Sequence, residues 1–313
     1  MKTKVINKIT ITVGIPAYNE EKNIRKVLQS ILSQKSNFSV LKEIIVLNDG
    51  STDNTVQEAI RIKDKRMKVL VDNARKGQIK RVEELCKMSK SEVLILVDAD
   101  IVMNIDAIDF LAKVISRKTN IGLVGSCAFP LPPKTFIQKS VLASVRGYVD
   151  YAQQYKDGQN IYTCKGGALA LSRKFASEVK IPEDVFAHDH FLYLFCLQQG
   201  HKYFYERRAK VWYTTPATLS DHIKQNTRFE STMSNLDKTF GDFVAREYRM
   251  DRALFYKSLA KQFIREPLYS TFIVLINLYC KLYGRLNYRR VNPLWSMVES
   301  TKIATGRKGS PNV

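Results

Sequence analysis

The sequence has no Cys-x-x-Cys pair; its five cysteines, Cys86, Cys127, Cys164, Cys196 and Cys280, are odd in number and widely scattered. That spacing argues against a disulfide framework or a zinc site and is expected of a chain in a reducing compartment. No run of about 20 apolar residues occurs, and mean hydropathy is −0.22, which excludes a polytopic membrane protein. Acids are scarce, with 30 Asp+Glu against 50 Lys+Arg and a formal net charge of +20. The chain is still no disordered polyampholyte, because 45% of its 313 residues are hydrophobic and can fill a core. The length suits one large domain or two modest ones. The excess charge asks for an anionic partner: nucleic acid, a phosphate-bearing substrate or an acidic lipid surface. There are no internal repeats and no low-complexity segments. The N-terminal MKTKVINKITITVGIP has no long apolar region and no small-residue cleavage site, so it is expected to enter the first strand rather than act as a signal peptide.

Regular elements are legible from apolar periodicity. Ile9 to Ile15 is a β-branched run, and EIIVL (43–47), Met67 to Val71 and VLILV (93–97) read as further buried strands. Between them, Ile24, Val27, Leu28 and Ile31 recur at helical spacing, and Gln78 to Met88 suits a helix. Strand alternating with helix predicts βαβ units, a mostly parallel central sheet and helices on its faces. Ligands then sit beyond the carboxyl ends of the strands. The polar clusters Ala17 to Glu20, Asn48 to Ser51 and Asp98 to Asp100 each follow a strand directly and are expected to meet along one sheet edge. FPLPP (129–133) cannot be helical.

The chemistry of those ends is specific when taken together. Asp98 and Asp100, one residue apart on a turning chain, suit a hard cation such as Mg²⁺ or Mn²⁺ shared with phosphate oxygens. Asp49 is placed to accept hydrogen bonds from a ribose or a base edge. Lys76 is placed to meet a diphosphate. Asp189, ahead of an apolar helix, is either a cap or a general base, and His188 and His190 flank it. Gln225 and Arg228 stand at i, i+3, sharing a face if that segment is helical.

IPAYNEEKNI, IIVLNDGSTDNT, Asn73 to Gly77, LILVDADI, CKGGALALSR, AHDHFLYL and QNTRFE, in this order, resemble the family 2 glycosyltransferases. The resemblance covers roughly residues 9–235 and implies the GT-A fold, a Rossmann-like nucleotide-diphospho-sugar transferase architecture. It implies an inverting, metal-dependent transferase using Mn²⁺ or Mg²⁺ and a nucleotide-sugar donor, with UDP the expected nucleotide. By the same resemblance Pro16, Ala17, Tyr18 and Glu20 form the nucleotide pocket, with Asp49 at the nucleoside. Lys76, Gly166, Gly167, Gln225 and Arg228 also bind the donor; Asp98 contacts it and shares the metal with Asp100; Asp189 is the base. Phe229 replaces a tryptophan usual in processive synthases, and His188 stands where an acid is common. Both departures weigh against polymer synthesis and leave sugar transfer intact.

Residues 1–235 are therefore expected to form the catalytic domain and 236–313 a helical extension. Of the chain's charges, 20 Lys+Arg but only 9 Asp+Glu fall in residues 201–313. Phe255, Leu259 and Phe263 recur at i, i+4, i+8 among basic residues, and Leu268 to Tyr283 is apolar except for Asn277 and Lys281. This pattern suggests helices at the headgroup layer of an anionic membrane, peripheral or monotopic on its cytoplasmic side, rather than a crossing helix. Phe136, Ile137, Val141, Leu142 and Val145 form a second apolar stripe, either core or acceptor-facing. The acceptor is expected to be a glycan or a polyprenyl or other lipid-linked sugar. The alternatives are a processive polysaccharide synthase subunit, a nucleotidyltransferase and a basic nucleic-acid-binding protein. The last lacks a reading helix or aromatic platform, so no nucleic-acid partner is expected.

Overall fold

Consecutive apolar residues in a strand point to opposite faces, so runs such as VLILV require cover on both sides. A computed structural model describes residues 8–182, 185, 187–230, 233–287 and 299–302, excluding the side chains of 227–230, 233–235, 284–287, 299 and 302. Its strands are β1 (Ile9–Ala17), β2 (Ser39–Asp49), β3 (Met67–Asp72), β4 (Val93–Val97), β5 (Ile101–Met103), β6 (Ile121–Pro130), β7 (Ala168–Ser172) and β8 (Lys202–Tyr213). They form one sheet in the order β3-β2-β1-β4-β7-β6-β8-β5. The first four strands pair in parallel. β7 runs antiparallel to both β4 and β6, and β5 antiparallel to β8, so the sheet is mixed in its second half. Because β7 opposes β4, with Ala168 paired to Val97, its beginning lies at the same edge as the ends of β1, β2 and β4.

The helices are α1 (Ile24–Leu32), α2 (Thr55–Ile60), α3 (Gln78–Met88), α4 (Ala107–Arg117), α5 (Phe136–Gln154) and α6 (Arg173–Glu178), followed by α7 (His188–Gln198), α8 (Leu219–Glu230), α9 (Met233–Phe240), α10 (Asp242–Glu247), α11 (Arg252–Arg265) and α12 (Pro267–Asn287). Val93, Ile95 and Val97 pack with α1 and α4 on one face. Leu94 and Leu96, the alternate residues, pack with α3, α6 and α7 on the other. Thr135 starts α5 just after the proline-rich segment: its hydroxyl accepts from the Gln138 amide at 3.1 Å, and the Gln138 side chain accepts from the Thr135 amide at 3.3 Å. This reciprocal cap satisfies two otherwise orphaned donors.

The C-terminal helices differ from expectation in two ways. The boundary expected after residue 235 falls inside α9, whose Leu236 and Phe240 are buried in the same core as Phe191. The stripe of α11 faces the protein. Phe255 meets the Tyr151 ring at 5.4 Å, and Leu259 lies over Gly147 of α5. Arg146–Glu266 (2.7 Å) and Lys261–Asp150 (2.8 Å) ion pairs flank that seam. The apolar periodicity of α11 thus records packing on α5. α12 packs on α5 and α8 and leaves Leu275, Leu278 and Leu282 exposed, at 60%, 53% and 54%. Among the described residues no helix is long and apolar enough to cross a membrane.

Candidate active site at the carboxyl edge of the sheet

The half of this edge at the ends of β1, β2 and β3 is built around one buried arginine. Arg81, in α3, is 1% exposed. Its guanidinium donates to Asp49 Oδ1 (2.8 Å), Asp72 Oδ2 (3.0 Å), Glu84 Oε2 (2.9 Å) and the Ala74 carbonyl (2.8 Å). Burial opposes its charge, but Glu84, Asp49 and Asp72 together hold its pKa above the usual value. Asp49 also accepts the amides of Lys76 (2.8 Å) and Gly77 (3.0 Å), so it clamps the 73–77 loop to the end of β2. Most of its acceptor capacity is engaged there, and among the described residues Oδ2 takes only the Gly77 amide. That loop places the Arg75 guanidinium 3.9 Å from the centroid of the Tyr18 ring. Asn19 (φ 52) is held by Ser51 and Thr52 at 3.0 and 2.8 Å, which fixes Tyr18 at the end of β1. Pro16 and Ala17 are buried in the strand itself. Glu20 is buried too, and its carboxylate accepts from Asn23 at 2.9 Å.

The reactive half hangs on the segment before β7. The Gly167 amide donates to Asp98 Oδ2 (2.7 Å) and its carbonyl accepts from the Asp98 amide (2.9 Å). The preceding amide, Gly166, donates to Asp189 Oδ2 at 2.9 Å. Two consecutive peptide groups therefore hold the carboxylates of two distant motifs. A Cβ at Gly166 would lie 2.7 Å from Asp98 Oδ2, and Gly167 has φ +94°, so glycine is required at both. Gln78, the first residue of α3, donates to Asp98 Oδ1 at 3.0 Å, linking the two halves of the edge.

Asp189 lies in the first turn of α7, where free amides favour an anion. Burial pushes its pKa up, but His190 and His188 and the amides of His190 and Gly166 pull harder, so it lies below the ordinary carboxylate value. His190 is itself lowered, chiefly by burial, and its Nδ1 is 2.7 Å from the Tyr248 hydroxyl. The Tyr248 carbonyl in turn accepts from Tyr162 (2.6 Å). The chain after α10 thus braces the carboxylate from behind.

Not every expected residue joins this group. Lys76 turns its ammonium to Asp72 (2.7 Å) and Glu84 (3.5 Å); it enters the site through its backbone amide. Gln225 is half-buried on α8, which is fastened to α12 by Asn277: its Oδ1 lies 2.9 Å from His222 Nε2 and accepts Asn226 Nδ2 at 2.8 Å. The side chains of Arg228 and Phe229 lie outside the described residues. Sequence reading missed Arg75, Gln78, Arg81 and Tyr248. The one available signal was Arg81, a cation one turn into a helix that its neighbours Val82 and Leu85 mark as buried.

Asp98 and Asp100 are both half-buried at the end of β4. Among the described residues no group of three or more His, Cys, Asp or Glu side chains gathers to hold a metal. Two hard carboxylates fit Mg²⁺ or Mn²⁺ in the mode where water and substrate phosphates complete the shell.

A sheet of this order, with acids closing a central strand and a third carboxylate tied beside them, defines a GT-A transferase. Solved structures share the fold. The mannosyltransferase PcManGT from Pyrobaculum calidifontis, in complex with GDP-Man and Mn²⁺, aligns with a TM-score of 0.57 at 15% identity over 91% of this chain and 76% of that one. Glucosyl-3-phosphoglycerate synthase from Mycobacterium tuberculosis, in complex with Mn²⁺, UDP and phosphoglyceric acid, aligns with a TM-score of 0.55 at 17% identity, covering 74% and 79%. The family model of glycosyl transferase family 2 matches residues 12–179, and the chain belongs to that family. Poly-beta-1,6-N-acetyl-D-glucosamine synthase from Staphylococcus aureus (strain COL) is 26% identical over 233 residues, 70% of this chain and 53% of that protein. The same-named protein of Staphylococcus epidermidis is 27% identical over 235 residues, with the same coverage. The chain spans about half the length of these curated relatives.

Proposed function

We propose that the chain transfers a sugar from a nucleotide-diphosphate donor to a hydroxyl of a glycan or lipid-linked acceptor, with inversion at the anomeric carbon. The observation that carries this reading is the pair of consecutive amides, Gly166 and Gly167, joining Asp189 to Asp98. It brings a lone ionised carboxylate beside the acids that face the donor. Asp189 removes the proton of the acceptor hydroxyl as its oxygen bonds to the anomeric carbon. The bond from that carbon to the diphosphate breaks on the opposite face, and its electron pair leaves with the nucleotide. Asp100 with Asp98 would hold Mn²⁺ or Mg²⁺, which neutralises charge on the leaving diphosphate.

The Tyr18–Arg75 stack, with Pro16, Ala17 and Glu20 beneath it, supports the nucleoside, and the less engaged oxygen of Asp49 reaches its base or ribose. Gln225 and Arg228 on α8, with Lys76 once released from Asp72, meet the diphosphate. UDP is the first nucleotide to try, since a solved neighbour is a UDP complex. The names of the staphylococcal relatives favour N-acetylglucosamine as the sugar, and polymer formation as a second reading. The exposed leucines of α12, in a region rich in Lys and Arg, suit a peripheral site on an anionic membrane surface on the cytoplasmic side.

The test is Asp189→Asn. It should keep nucleotide-sugar binding, followed by titration calorimetry, and lose about 10²–10⁴-fold of transfer; full transfer in this variant removes Asp189 from the base role. Asp100→Ala should abolish metal-dependent donor binding, and an unchanged titration would sink the metal assignment.

A further inference from the structure

Lys165 carries a charge that the fold leaves unanswered. Its ammonium stands 4.0 Å from the centroid of the Tyr148 ring. Among the described residues that side chain has no hydrogen-bond or ion-pair partner. Yet it precedes Gly166, whose amide holds Asp189, so the cation sits one residue from the amide that holds the proposed base. Burial lowers its pKa to about 8, against the opposing pull of the Asp189 charge.

Beside it lies a small cavity lined by Ser126, Gln153, Thr163, Lys165 and Tyr205. Ser126 is 1% exposed, and its hydroxyl has no hydrogen-bond partner among the described residues. Gln153 Nε2 donates to the Tyr205 hydroxyl at 3.0 Å, and no carboxylate lines the wall. A buried polar group without a partner is costly, and a desolvated cation more so. Here a cation and a spare hydroxyl donor stand together, and a ligand that satisfies both is an anion. A plain sugar hydroxyl needs only Asp189.

We propose that Lys165 is a specificity residue of the acceptor site, pairing with a phosphate or carboxylate that the acceptor carries beside its reacting hydroxyl. This rests on the transferase reading above. The competing account makes Lys165 a counter-charge that merely steadies Asp189.

Titration calorimetry on the full chain separates them, with five probes: inorganic phosphate, glucose 6-phosphate, glucuronate, glucose, and phosphatidylglycerol in phosphatidylcholine vesicles. At least one anionic probe should bind, at least ~10-fold more tightly than glucose, and Lys165→Met should weaken it ~10–100-fold, the range of a lost charge-assisted hydrogen bond. Lys165→Arg should retain most of the affinity, which guards against a variant that fails to fold. Glucose 6-phosphate or glucuronate as the Lys165-dependent probe marks a glycan-borne anion; the vesicles mark a lipid-borne one. Anion binding that Lys165→Met leaves unchanged belongs to the donor diphosphate site and overturns the inference, as does binding of no anion at all. Nucleotide-sugar turnover without Lys165-dependent anion binding overturns this inference alone. Lys165-dependent anion binding without turnover of any nucleotide-sugar overturns the transferase reading alone.

Discussion

The two halves of the active-site edge are held by opposite electrostatic means. At the ends of β2 and β3 Arg81 is buried with four acceptors around it, so its charge is answered within the protein. Beside β7, among the described residues, Lys165 has only the face of Tyr148, and the Ser126 hydroxyl has no hydrogen-bond partner. A satisfied buried network sets a rigid frame. An unsatisfied one leaves free energy for a ligand to recover. On the proposed function, the donor pocket is preformed and the acceptor pocket is completed by what enters it.

The largest effect should come from breaking the frame. Arg81→Met leaves Asp49 without its main buried partner, and stability should fall by about 3–5 kcal/mol in denaturant unfolding. A loss below 1 kcal/mol would mean that the loop is held by its amides alone. Gly166→Ala drives a methyl against Asp98, 2.7 Å away, and disturbs Asp189 through the same peptide. Transfer should drop about 10²-fold, the scale of a 1 Å misplacement, while the melting profile stays cooperative. Unaltered kinetics would show that the two carboxylates are not positioned by this loop.

A smaller effect belongs to Asn277→Leu, which strips partners from both His222 and Asn226. It should cost about 1–3 kcal/mol and raise hydrogen exchange in α8 and α12 before the sheet. The depressed pKa of Asp189 gives a pH test. A carboxylate shifted down stays ionised until pH falls through its folded value, so it remains a base below the usual ~3.9. Its contribution to stability is full above that pH and is lost as pH falls from there through the folded value. Transfer should therefore show no acid limb from this group between pH 7 and 5; a limb centred there would contradict the shift. Smallest of all, Leu278→Ser on α12 should change stability by no more than ~0.5 kcal/mol. It should nevertheless reduce flotation with phosphatidylglycerol vesicles. Unchanged flotation, or a shift from dimer to monomer in sedimentation, would assign this face to other contacts.

Much of the frame was legible. β4 and α3 occupy the residues that apolar period predicted, because a strand covered on both faces must be apolar throughout and a covered helix must repeat every three to four residues. The grouping of the strand ends followed from parallel topology alone. α11 was misjudged because an amphipathic stripe reports that something covers it, without reporting whether that is a helix or a lipid. Asn277 looked like a flaw in an apolar segment and is the polar pin between α8 and α12, a role that exists only once His222 stands opposite.

The sequence by itself determined the family, the sheet's first half and the identity of the motif carboxylates, since these rest on local pattern and order along the chain. Only the tertiary structure decided which charges are answered. Arg81 and Lys165 are both basic residues near glycines; Val82 and Leu85 mark Arg81 as buried, but nothing along either stretch says which acids it meets. Their difference arises because Asp49, Asp72 and Glu84 converge on one, while the other meets an aromatic ring and an empty-handed hydroxyl. Electrostatic partnership depends on distance through space, which the order of residues does not encode directly.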